Sequence, residues 1–135
     1  MPVRGIRGAT TATANTAAAI VEATTELLGE LVRLNALDPA DVCFAYFTTS
    51  PDLDAEYPAL AARRMGWVEV PMLCGNDMAV AGPNPRAIPK AIRILLLHNS
   101  DRPQREMRSA YLRGAQAIRA DLDQTRSQLT EQELI

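Results

Sequence analysis

Apolar positions divide the chain into short periodic stretches separated by turn residues. Residues 2–12 alternate weakly and are rich in Val, Ile, Thr and Gly, which predicts an opening strand with Gly5 and Gly8 allowing a bulge or a close backbone approach. Ile20, Thr24, Leu27, Leu28, Leu31 and Leu34 then follow helical spacing, so a helix is expected from about 16 to 36 with Asn15 as its N-cap. Glu22, Glu26 and Glu30 fall on another, solvated face of that helix. Asp38-Pro39 restarts the chain as a capped short turn. Val42 to Thr49 is a continuous β-rich apolar run and reads as a buried central strand. After a loop at Ser50–Asp54, Tyr57 to Met65 predicts a short helix ended by Gly66. Residues 67–74 predict a third strand broken by Pro71, which puts it at an edge. Residues 75–89, with two glycines and three prolines, read as loop. Lys90 to His98 is a strong strand, residues 104–117 read as a third helix, and the polar tail 120–135 has only weak helical character.

The resulting order is β-α-β-α-β-(β)-β-α, an α+β or mixed α/β domain with one sheet and helices on one face. The length, 135 residues, suits a single domain: residues 1–119 as its body and 120–135 as a C-terminal tail expected to be partly mobile. So few helices leave much of the sheet uncovered, and other copies of the chain in closed symmetry are the expected cover.

Composition changes this picture in one respect. The chain is 47% hydrophobic and 22% charged, with a net charge of −2, which argues against a general nucleic-acid binder. Among the 14 basic residues, Lys90 is the one lysine and the rest are arginines. A genome rich in G and C explains much of that bias, and of the abundant alanine. Some arginines, however, can hold planar anions through their forked donors. A single histidine, His98, and two cysteines, Cys43 and Cys74, nearly exclude a metal site of several His and Cys ligands. A Ser-His-Asp triad would have to use His98, which at the end of an apolar strand reads as structural. No stretch approaches a membrane span, and Met1 to Arg7 has no signal-peptide core, so a cytoplasmic protein with reduced thiols is expected.

Particular residues go further. Arg4-Gly5-Ile6-Arg7-Gly8-Ala9-Thr10-Thr11 is followed by Pro51-Asp52-Leu53, Pro58-Ala59 with Ala61 and Arg63, and Gly66-Trp67. Then come Val70-Pro71, Cys74, Ile92-Arg93, Asp101 with Pro103-Gln104, Tyr111-Leu112, and Arg119 with Asp121-Leu122. In this order and spacing the chain, from about residue 3 to 122, resembles the AroH class of chorismate mutase. The resemblance implies a homotrimer whose sheets form a pseudo-α/β barrel, with active sites between adjacent subunits. It implies the pericyclic rearrangement of chorismate to prephenate, in aromatic amino acid biosynthesis, with no cofactor, no metal and no covalent intermediate. Composition agrees independently: holding a small dianion folded needs a rigid pocket and fixed cationic donors, and no chemical participant from the protein.

By the same resemblance, Arg93 faces the breaking ether oxygen, and Arg7 holds a carboxylate near it. Tyr111 binds the side-chain carboxylate, Cys74 contacts the polar groups on the ring side, and Tyr57 stands where the family has a phenylalanine beside the ring. Arg63 and Arg119 attract the dianion at the mouth, and Leu73 and Ile118 supply apolar wall. Asp77 stands where the family has a glutamate that accepts a hydrogen bond from the ring hydroxyl. Its arm is one methylene shorter, and the loop 78–92 is about three residues longer than expected, so the loop is expected to reposition it. This departure keeps an alternative open: a weakly active or inactive relative that binds chorismate, or one acting on a related enolpyruvyl ether.

Overall fold

In a computed structural model, which describes residues 1–84 and 86–133, eight regular elements form around one mixed sheet. They are β1 (Val3–Thr11), α1 (Ala17–Asn35), β2 (Val42–Thr49), α2 (Ala59–Arg64), β3 (Met72–Asn76), β4 (Ala91–Asn99), β5 (Ala110–Tyr111) and α3 (Gln116–Glu133). Pro85, in the expected loop, and the last two residues of the tail lie outside the described residues. The strand order is β3-β2-β4-β1-β5, with β4 antiparallel to both β1 and β2, and with β3 and β5 joining the edges in parallel.

Alternation along the strands sorts the side chains into two faces. Ile6, Ala45, Phe47, Ile94 and Leu96 point to the face covered by α1, where they bury against Leu27, Leu28 and Leu31. Burial of that apolar area drives the packing. α2 lies on the same layer and adds Ala59 and Ala62, with Trp67 just after it. Gly8 marks how closely α1 approaches: a Cβ there would sit 3.0 Å from Leu31 and 3.1 Å from Leu27. A second small cluster, Ala12, Ile20, Ala23, Leu53 and Ile92, closes the end of the sheet.

Several expectations need correction. The N-cap of α1 is Thr16, whose hydroxyl accepts from the Ala19 N–H at 3.1 Å. Asn15 turns away and holds the loop after β2 instead, accepting from the Asp54 and Ala55 N–H groups. The third strand is shorter and later than 67–74, because Pro71 supplies no N–H for the ladder and Trp67 and Val70 pack into the core instead. Residues 104–117 are not a helix. A single 3-10 turn at Gln104–Glu106 leads to β5, a second turn follows at Arg113–Ala115, and the helix begins at Gln116. Side chains override local propensity here: Gln104 clasps both the N–H and C=O of Gly5, and buried Asn35 binds the N–H and C=O of Arg108. The region 120–133, read as weakly helical, belongs to the regular helix α3.

Candidate functional site

The face of the sheet away from α1 carries the candidate residues. One register row crosses all five strands on this face: Gly75, Thr48, Arg93, Ala9 and Tyr111. Arg7 and Leu95 form the neighbouring pair in the next row, beside Tyr46 and Leu73. A cavity of about 190 Å³ opens over these rows, walled by Arg7, Tyr46, Thr48, Arg93, Tyr111 and Ile118. Ile118 reaches it from the first turn of α3, which leaves the sheet at the β5 edge.

Arg93 stands on a central strand between two buried neighbours, Ile92 and Ile94, yet its own side chain is half exposed on the open face. Its Nε lies 3.2 Å from the Asp77 carboxylate. Asp77 reaches that position because β3 is prolonged by one more backbone bond, from the Asp77 N–H to the Thr49 C=O at 2.8 Å. A guanidinium held at Nε still presents its two terminal nitrogens to a ligand.

The structure therefore brings together Arg93, Arg7, Asp77, Tyr111 and Ile118 within one chain. Arg119 stands apart, on the wall of a larger adjoining groove of about 1020 Å³ that shares Arg7 and Tyr111 with the cavity. The remaining expected residues lie elsewhere. Cys74 sits on the opposite face of β3, half-buried against the main core. Tyr57 and Arg63 are exposed on the helix layer near the β3 edge, and Leu73 is 62% exposed on the open face of that edge strand. Sequence reading missed Tyr46 and Thr48. Their run looks uniformly buried, and only the sheet register shows which alternate residues face the cavity.

His98 plays no part in this cluster. It is buried, with Nε2 3.1 Å from the Met107 sulfur, and burial together with nearby Arg102 holds its pKa below the ordinary imidazole value, against a smaller opposing pull from Asp41. Among the described residues no group of three or more His, Cys, Asp or Glu is placed to hold a metal ion. No helix among them is long and apolar enough to cross a membrane.

The fold and the cluster define a small mixed-sheet α+β protein whose open face presents two arginines and two tyrosines around a cavity, with the Asp77 carboxylate paired to one of the arginines. Comparison with known proteins narrows this. The sequence profile of the chorismate mutase type I family matches residues 3–122. The chain is 40% identical over 122 residues to the chorismate mutase AroH of Thermus thermophilus, covering 90% of this chain and 97% of that protein. Against the chorismate mutase AroH of Bacillus subtilis (strain 168) the identity is 37% over 128 residues, 94% and 98% of the two chains. Among solved structures, a chorismate mutase from Clostridium thermocellum superposes with a TM-score of 0.79 at 40% identity, over 84% of this chain and 97% of that one. The chain belongs to the chorismate mutase type I family and is an isomerase of that kind.

Proposed function

We propose that the cavity under Arg93, Arg7 and Tyr111 converts chorismate to prephenate by holding the substrate folded and stabilising its ether oxygen. In this rearrangement the ether C–O bond breaks as a C–C bond forms in one cyclic step, so no proton, nucleophile or cofactor is required of the protein. The protein's task is to restrict conformation and to place positive charge where negative charge develops. Arg93 is the group for the ether oxygen, because its Nε is pinned by Asp77 and its terminal nitrogens remain for the ligand. Arg7 and Tyr111, in adjoining rows, are the groups for the carboxylates.

The observation that carries this reading is the ion pair at 3.2 Å. Despite its shorter arm, Asp77 lies within reach of the guanidinium, which favours an active enzyme over a binding-only relative. Asp77 then has two tasks, fixing Arg93 and meeting the ring hydroxyl.

We further propose a homotrimer with each site shared by two copies. Tyr57 and Arg63 lie on the helix layer and Cys74 faces the core, whereas Arg7, Arg93 and Tyr111 lie on the open face. A sheet separates the two sets, so an adjacent copy is the natural source of the second set around one small substrate. The exposed apolar residues of the open face, Val3 at 54% and Leu73 at 62%, support burial against such copies. A cytoplasmic setting suits the two free, half-buried cysteines.

The deciding experiment mixes purified protein with chorismate and follows prephenate formation. Turnover is expected, and Arg93→Ala is expected to lower kcat by at least about 10²-fold while the oligomer persists. A variant retaining most of the wild-type rate would show that the guanidinium is not the stabilising group.

A further inference from the structure

We infer that Tyr46 is a substrate-contacting residue, its hydroxyl meeting the ring hydroxyl of the substrate beside Asp77. The inference rests on the reaction proposed above and adds a residue to that site. Four observations converge on it.

Tyr46 lies on the open face of β2 and walls the same cavity as Arg7, Arg93 and Tyr111. Its phenol does not stay in its own row but leans into the row of Arg93. A Cβ added to Gly75, in register with Thr48 and through it with Arg93, would stand 2.5 Å from the Tyr46 Oη. A side chain at position 75 would therefore evict the phenol, and glycine is the residue that leaves it room. The ring is held from the other side by Phe44, nearly parallel with centroids 6.2 Å apart. Finally, no described residue forms a hydrogen bond with the Tyr46 hydroxyl. A phenol placed in this way, with no hydrogen-bond partner among the described residues and at the wall of the cavity proposed to hold the substrate, is preorganised for a ligand.

Position decides which atom of the ligand it meets. Across the sheet, Arg93 lies between two flanks: Tyr111 and Arg7 on the β5 side, Tyr46 and Asp77 on the β3 side. Adjacent strands lie about 4.8 Å apart, so Gly75 and Tyr111 at the two ends of the row are each roughly 10 Å from Arg93. The arginine and tyrosine donors of the β5 side suit carboxylates. The β3 side offers a carboxylate and a neutral hydroxyl, the pair that a neutral alcohol can use as donor and as acceptor. With Asp77 drawn toward Arg93 and its arm short, Tyr46 completes the contact to the ring hydroxyl.

The test compares kcat/KM of wild type and Tyr46→Phe on chorismate and on an analogue lacking the ring hydroxyl. Phenylalanine keeps the stack on Phe44 and the fit over Gly75. The expected result is a loss of about tenfold on chorismate and little or none on the deoxy analogue, as for one lost hydrogen bond. Gly75→Ala is expected to produce a similar loss in the presence of Tyr46 and no further loss in the Tyr46→Phe background, where the nearest ring atom is 3.4 Å from the added methyl. Equal losses on both substrates would assign Tyr46 a structural role, and an unchanged Tyr46→Phe would remove it from the site. Wild-type protein that left chorismate untouched would instead overturn the reaction itself.

Discussion

Arginine and histidine behave differently once placed. Arg4, Arg102 and Arg113, to which the sequence assigned no place in the site, all hold the fold together. Arg4 Nε donates to the Arg102 C=O at 2.8 Å, Arg102 donates to the Asn35 C=O at 2.8 Å, and Arg113 bonds Thr11 while pairing with Glu22 and Glu26. Their tasks are acceptor carbonyls that come together only on folding, so no local pattern announces them. His98 is the opposite case: its structural reading needed only its apolar neighbours. Because burial keeps its folded pKa below the ordinary value of about 6.5, the unfolded chain takes up a proton that the folded chain refuses as pH falls. Stability is therefore present above that value and declines below it, by at most about 1.4 kcal/mol per pH unit. Thermal unfolding between pH 7 and 5.5 should show the decline, and His98→Gln should flatten it.

At the scale of elements, patterning located most strands and the long helix. β1, β2 and β4 appear within a residue or so of their expected bounds, and Gly66, with φ 91, ends the short helix as expected. The failures share a cause. Between Ser100 and Ala115 the backbone is bound by distant side chains, Gln104 on Gly5 and Asn35 on Arg108, and these replace the helical ladder that composition favours. The piece Pro51-Asp52-Leu53, one of those that carry the family resemblance, gains a physical meaning in the same way. Asp52 accepts from the Ser50 hydroxyl and from the Lys90 N–H, tying the loop to the start of β4, and Leu53 plugs the second apolar cluster. The contact between β1 and α1 gives the sharpest stability test. Gly8→Ala places a methyl 3.0 Å from Leu31 and against the Ala110 C=O, and should cost about 1–3 kcal/mol in a denaturant titration.

Over the whole molecule, the modest net charge of −2 conceals a local excess of positive charge. The groove adjoining the cavity is walled by Arg7, Arg105, Arg108 and Arg119 against Glu30 and Asp123. Glu30 is engaged by Arg33, and Asp123 lies 3.9 Å from Arg119, so the acids are already countered. A dianion approaching this side meets a favourable field that salt weakens. Accordingly kcat/KM for chorismate should fall severalfold between about 0.02 and 0.5 M salt, with kcat nearly unchanged; a flat profile would remove these arginines from substrate capture.

Residue order alone was sufficient for the family, the fold class and the identity of Arg7, Arg93, Asp77 and Tyr111 as candidates, because motif spacing and hydrophobic periodicity are properties of the linear chain. Which of them meet was decided by the sheet. Register placed Arg93 between Thr48 and Ala9, brought Asp77 alongside, turned Cys74 toward the core and aimed Tyr46 over Gly75. These outcomes depend on strand pairing between distant segments, where a shift of one residue exchanges the two faces, and so they exist only in the folded sheet.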